Sequence, residues 1–247
     1  MIAFASCVAS PEIFTAAAAR GLARVMEPDS VFAQLTTTTS ILEVYNEALD
    51  HFSPYLDLEA LVLLHEDTEL FDPGLCATLR RCLRDPAVGV VGAIGARDVT
   101  SLAWWEGEMA GCVAETRGLI DRGFDNVEVD AVDGLLMALS PWAVRNLRFD
   151  QGTYSGFHAY DVDFCFAARA VGRKVVVADL PLMHHTKGGY GDKAVWDAAD
   201  AAFRAKWLGE AATHGVRATA TAVPPRSAGP RAAAGRGAPG PRRPAPA

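Results

Sequence analysis

Three short clusters in this chain bring together side chains that can hold a divalent cation or move a proton. His65-Glu66-Asp67 follows the apolar run Ala60 to Leu64, and Tyr160-Asp161-Val162-Asp163-Phe164 opens an amphipathic stretch. Pro181-Leu182-Met183-His184-His185 follows the apolar run Lys174 to Ala178 and precedes Lys187-Gly188-Gly189-Tyr190-Gly191. A group transfer in which a diphosphate departs and a hydroxyl attacks needs a cation for the leaving charge and a carboxylate for the proton. Hard oxygen ligands at a strand end suit such a cation, and an added imidazole suits manganese. Each cluster also has a plainer reading. Acids are common in solvated turns, and two carboxylates at a helix start serve as N-cap and as complement to the helix dipole. For Asp161 the two readings are compatible, since a helix N-terminus lowers a carboxyl pKa and keeps the group ionised as a proton acceptor. The adjacent His184 and His185 are placed to complete a site begun by Asp67. The Gly pair behind them is a hinge for a loop closing over phosphates, or a plain turn.

Alternating strands and helices position these clusters. A strand from Ile2 to Val8 leads to Ser10-Pro11, an N-cap and first helical residue, with Phe14, Ala18, Leu22 and Val25 on one helical face. A strand from Val31 to Leu35 leads through Thr36 to Thr39 to a helix sharing Ile41, Tyr45, Ala48, Leu49 and Phe52. The strand Ala60 to Leu64 is followed by a helix from Asp72-Pro73 to about Asp85-Pro86, then by a strand from Val88 to Ile94. Continuous apolar strands between amphipathic helices predict a mostly parallel central sheet with helices on both faces. Ligands in such sheets bind beyond the carboxyl ends of the strands, where His65-Glu66-Asp67 falls. From Gly95 to about Asn126 the chain is Gly-rich, carries Trp104-Trp105 and has no sustained period, which predicts a long surface excursion. Beyond it we expect a strand from Val129, a helical turn at Ser140-Pro141, a helix from Asp161 to Val171, a strand from Lys174 to Ala178 and a helix from Asp192 to Leu208.

With 247 residues, half of them apolar, the chain can bury one sizeable core, and we read residues 1–216 as one domain. Residues 217–247 are mostly Ala, Pro, Arg and Gly and cannot repay their ordering entropy, so a disordered tail is expected there. That tail holds six of the 23 Lys and Arg and none of the 30 Asp and Glu, leaving the rest at −13 against −7 overall. Such a body repels phosphate backbones, which argues against nucleic acid as a partner. Cys7, Cys76, Cys82, Cys112 and Cys165 are odd in number and form no C-x-x-C pair, so they read as reduced thiols. No apolar run is long enough for a membrane span, and the opening residues lack a basic n-region, so the expected location is the cytoplasm.

Taken in order, these pieces resemble the GT-A fold glycosyltransferases. They are most similar to the streptomycin-biosynthesis-type glycosyltransferase-like family, a relative of the family 2 enzymes. The resemblance spans about Ser40 to Tyr190. It rests on Tyr45-Asn46-Glu47-Ala48, Leu64-His65-Glu66-Asp67, Val88-Gly89-Val90-Val91-Gly92, Val132-Asp133-Gly134-Leu135-Leu136-Met137, Phe157-His158-Ala159-Tyr160-Asp161-Val162-Asp163 and Pro181-Leu182-Met183-His184. It implies an α/β GT-A fold and transfer of a sugar, a hexose with inversion, from a UDP-, GDP- or dTDP-sugar to an acceptor hydroxyl, with Mn²⁺ or Mg²⁺. Asp161 matches the base of inverting enzymes, Asp67 the last acid of an Asp-x-Asp metal motif, and His184 a late metal or phosphate ligand, with His185 beside it. Thr38, Asn46, Glu66 and Asp67 then fall toward the donor. Trp104, Trp105, Asp133, Gly134, Tyr160 and Asp163 fall toward the sugar and acceptor.

The pattern also departs from the family. His65 stands where Asp-x-Asp has its first acid, Val8-Ala9-Ser10-Pro11 replaces the usual Pro-x-Tyr-Asn turn, and the second strand lacks a clear nucleobase Asp. The first departure motivates an alternative, a nucleotide-sugar-binding protein without catalysis that serves as partner or scaffold. A nucleotidyltransferase would need a Gly-rich phosphate loop with a basic residue after the first strand, and Cys7-Val8-Ala9-Ser10-Pro11 has neither.

Overall fold

The first strand, β1 (Ile2–Cys7), is buried along nearly its whole length, as a strand covered on both faces must be. The computed structural model describes residues 1–123, 127–186, 188 and 191–209. The tail from residue 217, and Lys187, Gly189 and Tyr190 of the Gly loop, lie outside the described residues. After β1, Ser10 accepts a hydrogen bond from the Ile13 N–H and caps α1 (Pro11–Ala16), with Pro11 at the first position. The helical path breaks at Ala17 and resumes as α2 (Ala18–Val25), whose Ala18, Gly21, Leu22 and Val25 are buried. β2 (Val31–Leu35), α3 (Ile41–Phe52) and β3 (Ala60–Leu64) follow with the boundaries that their apolar spacing predicts. Next come the short β4 (Thr68–Leu70), α4 (Leu75–Cys82), β5 (Val88–Gly92) and β6 (Ile94–Arg97).

The Gly-rich segment is not an irregular excursion. It forms a 3₁₀ turn at Trp104–Glu106 and a ribbon of β7 (Glu108–Glu115) and β8 (Gly118–Asp121), with β7 also pairing β6. Gly95 serves close approach: a Cβ there would overlap the Ala131 carbonyl oxygen, so this crossing admits no larger residue. Then come β9 (Val127–Val129), β10 (Ala131–Val132), β11 (Leu136–Leu139), α5 (Pro141–Asn146), α6 (Tyr160–Ala170), β12 (Lys174–Val177), β13 (Leu182–His184) and α7 (Lys193–Trp207).

Among the described residues the central sheet has seven strands in the order β2-β1-β3-β11-β5-β12-β9. β11 runs antiparallel to both β3 and β5, and β9 antiparallel to β12, so five strands share one direction and two oppose it. A second sheet, β10-β6-β7-β13-β4 with β8 on β7, lies beyond the carboxyl ends of β3 and β12. The fold is thus α/β with a mostly parallel central sheet. The core spans β1, β3, β5 and β11 together with buried faces of α3, α4 and α6. None of the described helices is long and apolar enough to cross a membrane. All five cysteines are free.

Asn46, expected on the donor side, is instead a clamp within the fold. Its Nδ2 donates to the Phe149 carbonyl and its Oδ1 accepts from the Phe149 N–H, both at 2.9 Å, tying α3 to the segment before α6. Asn46→Ala is expected to cost about 1–3 kcal/mol, because it strands two backbone groups. Urea unfolding measures this, and an unchanged midpoint would refute the clamp.

Candidate active site

The chain leaves β3 through His65, Glu66 and Asp67 and enters β4 at Thr68. β4 pairs antiparallel with β13, setting Thr68 opposite His184, and the His185 N–H donates to the Asp67 carbonyl at 2.8 Å. This register brings His184 Nε2 to 3.3 Å from Asp67 Oδ1, while His65 Nδ1 lies 4.0 Å from the same oxygen. One ligand atom from each of His65, Asp67 and His184 falls within 4.8 Å of the others, the one such group among the described residues. Ligands around a transition metal sit about 2.0–2.2 Å from it, so three atoms this close need contract little to share an ion. His65 Nε2 is engaged by the Tyr160 hydroxyl, which leaves Nδ1 as the atom facing Asp67.

The ionisable side chains of this group act on one another. Burial disfavours ionised Asp67, but the hydrogen bond from His184 and the charges of His184 and His65 outweigh it, and its carboxyl titrates below its ordinary range. Burial likewise disfavours charged His184, but Asp67, Asp133 and Glu115 outweigh it and raise its pKa. For His65, burial and the charge of His184 prevail over the nearby acids, lowering its pKa and keeping its lone pair available.

Asp161 lies in the first turn of α6, where its Oδ2 accepts from the Gly134 N–H at 3.0 Å and its Oδ1 from the Val162 N–H at 2.9 Å. The helix N-terminus does not keep it acidic, contrary to the sequence expectation. Burial, joined by the charge of Asp133, overrides these backbone bonds and pushes its pKa up to about 7. Tyr160 beside it is buried, and its ring fills the space over Gly134, where any Cβ would overlap the phenol. Gly134 is therefore needed for the position of Tyr160. Ala159 at the head of α6 has φ +67°, an uncommon conformation for a residue with a side chain.

A cleft of ≈ 520 Å³ joins these groups, lined by His65, His184, Asp133, Tyr160, Asp161, Trp104 and Trp105 among others. Trp104 is buried and meets Trp105 edge to face at 5.9 Å, so both sequence candidates reach the cavity. Other candidates have structural partners. Glu66 accepts from the Ala9 and Ser10 N–H groups at 2.8 Å, fixing the entry to α1 rather than facing a donor. Asp163 is buried away from the cleft and accepts from Lys206 Nζ and Trp207 Nε1, both at the end of α7. His185 lies outside the metal group, with its Nε2 3.1 Å from Glu69, because successive residues of a strand point to opposite faces. Thr38 is exposed in the bend between β2 and α3, and Asn46 is the clamp described above.

His65, a departure from the Asp-x-Asp pattern, joins Asp67 and His184, and its place directly after the apolar run Ala60 to Leu64 is the signal the sequence offers for it. Glu115, Arg117 and Arg122 also line the cleft, from the β7–β8 ribbon, and were not expected there. No local pattern marks them.

Comparison with known proteins supplies the wider context. The sequence profile of a glycosyltransferase-like family matches residues 3–203. The streptomycin biosynthesis protein StrF of Streptomyces griseus is 33% identical over 201 residues, covering 79% of this chain and 71% of that protein. Among solved structures, A197 from STIV superposes with a TM-score of 0.51 over 75% of this chain and 85% of that one, at 13% identity. GalNAc-T7 with UDP, GalNAc and Mn²⁺ gives 0.51 over 78% of this chain and 44% of that one, at 7% identity. The structural likeness is one of fold, the GT-A arrangement.

The elevated pKa of Asp161 carries a stability cost of known sign. Unfolded, the carboxyl titrates near 3.8, so between about pH 4 and pH 7 only the folded chain keeps the proton, and stability falls as pH rises through that window. Asp161→Asn is expected to gain stability relative to the unsubstituted protein by roughly 1–4 kcal/mol more at pH 8 than at pH 4. Urea unfolding at the two pH values tests this, and an equal difference at both would count against it.

Proposed function

The chain belongs to the glycosyltransferase-like family, and on that premise we propose that it transfers a hexose from a nucleotide-sugar donor to an acceptor hydroxyl, with inversion and with the aid of a divalent cation. The convergence of His65, Asp67 and His184 beside a cleft that also holds Asp161 carries this reading. His65, Asp67 and His184 would hold the cation, and two imidazoles with one carboxylate suit Mn²⁺ better than Mg²⁺. When bound, a divalent cation neutralises the charge that gathers on the departing diphosphate.

The residues of the chain do the rest. Asp161 accepts the acceptor's hydroxyl proton as that oxygen bonds to the anomeric carbon from the side opposite the diphosphate. The anomeric C–O bond to phosphate breaks, and its electron pair leaves with the nucleoside diphosphate. A base with a pKa of about 7 is matched to this task near neutral pH. Trp104 and Trp105 offer the sugar an apolar wall, and Asp133 a carboxylate for its hydroxyls. His65 replaces an acid without removing a ligand, which favours a working transferase over a degenerate binding protein.

Incubating UDP-, GDP- and dTDP-sugars with an acceptor panel tests the proposal. Product is expected with Mn²⁺, is lost with EDTA and returns on adding metal back. Asp161→Asn is expected to lower kcat by about 10²–10⁴, and unchanged turnover with chemistry rate-limiting would remove Asp161 as the base. Activity of the unsubstituted protein is expected to fall as pH drops through about 7, since protonated Asp161 cannot accept a proton.

A further inference from the structure

We propose that Glu115 is a positioning residue for His184, orienting its imidazole so that Nε2 is presented to the cation. This rests on the cation site proposed above. β7 runs parallel to β13 with Glu115 in register with His184, so the two side chains lie beside each other across the ladder. Glu115 Oε1 is 3.8 Å from His184 Nδ1, on the opposite side of the ring from Asp67, which lies 3.3 Å from Nε2. His184 Nδ1 is buried and has no hydrogen-bond partner among the described residues. Both side chains are mostly buried, with exposures of 13% for His184 and 12% for Glu115.

A buried ring nitrogen without a partner is costly, and the Glu115 carboxylate at 3.8 Å is an acceptor just beyond hydrogen-bond distance. Closing that gap makes Nδ1 the protonated nitrogen and leaves the Nε2 lone pair for metal, the carboxylate–histidine–metal arrangement that fixes a ligand's tautomer and raises its basicity. Glu115 is itself held in place. Its other oxygen, Oε2, accepts from Arg117 Nη2 at 2.7 Å and from Nε at 3.1 Å, so Oε1 stays directed at the imidazole. Arg117 lies in the turn that joins β7 to β8 and is exposed at the cleft. The ribbon thus serves the metal group from a strand that contributes no ligand.

The experiment titrates Mn²⁺ alone into the full chain and follows free Mn²⁺ by electron paramagnetic resonance, without substrate. Glu115→Ala is expected to weaken Mn²⁺ binding about 10- to 100-fold. Glu115→Gln keeps an oxygen able to accept from Nδ1–H and is expected to stay within about threefold of the unsubstituted protein. Should the Ala variant not fold, Glu115→Asp, which draws the carboxylate back by one methylene, is expected to lose at least tenfold. Equal affinity in the foldable Ala or Asp variant would overturn the assignment. A Gln variant as weak as Ala would also overturn it, because the charge of Glu115 and not its hydrogen bond would then be at work. If the unsubstituted protein bound no Mn²⁺, the cation site itself would fail.

Discussion

The ladder between β4 and β13 is the constraint on which the site depends. Asp67 and His184 are 117 positions apart in the chain, and only the antiparallel pairing of Thr68 with His184 makes them neighbours. The same pairing decides what becomes of the second histidine. With side chains alternating across the strand, His184 turns to Asp67 and His185 to Glu69. Glu69 is buried, and Arg20 and Arg24 of α2 stand 3.6 and 3.7 Å from it, so β4 presents a carboxylate to the helix layer on one side while its preceding loop presents another to the cleft. A buried carboxylate survives only with such partners. The back of the ladder is therefore held by charges that the cleft does not use.

Around this ladder the ionisable groups divide by environment. Asp67 stays acidic because two imidazoles face it and outweigh its burial, whereas burial, joined by the charge of Asp133, makes Asp161 keep its proton to about pH 7. Two aspartates at or beside one cleft thus titrate in opposite directions from the same ordinary value. Tyr160 links the two halves, since its hydroxyl meets His65 and its main chain leads into Asp161. The absence of a side chain at Gly134 is what lets that ring lie between them.

Much of the fold was legible in the sequence, and the reasons are local. β3 and β5 are uninterrupted runs without a charged or polar side chain, β1, β2 and β12 are mostly apolar, and α3 and α6 repeat their apolar residues at helical spacing. β11 was not legible because four apolar residues between Leu135 and Ser140 show no period, and β4 and β13 because each has only three residues. The β7–β8 ribbon was hidden by glycines that read as loop, although Gly111 sits where a Cβ would overlap the Ala93 carbonyl oxygen and Gly118 takes a positive φ at the start of β8. Of the candidate site, Asp67, Asp161, His184 and the two tryptophans meet at or beside one cleft. Asn46, Glu66 and Asp163 misled because a polar residue near a ligand-binding edge satisfies backbone or helix-end groups as readily as it meets a ligand. A carboxylate beside a helix start cannot reveal which donors it will find until the strand order is known.

The antiparallel β11, wedged between β3 and β5, has a consequence for how the chain reaches its native state. Its partners lie about 45 to 80 residues upstream, so the middle of the sheet closes through loops whose entropy must be spent before any pairing repays it. During synthesis β3 keeps an open edge until β11 is made, and β5 keeps one until β12 follows. Until then the nascent chain exposes two buried-type apolar strands, the species most prone to mispair with a neighbour. Insertion of one four-residue strand is thus what joins the half of the sheet built on β1 and β3 to the half built on β5 and β12.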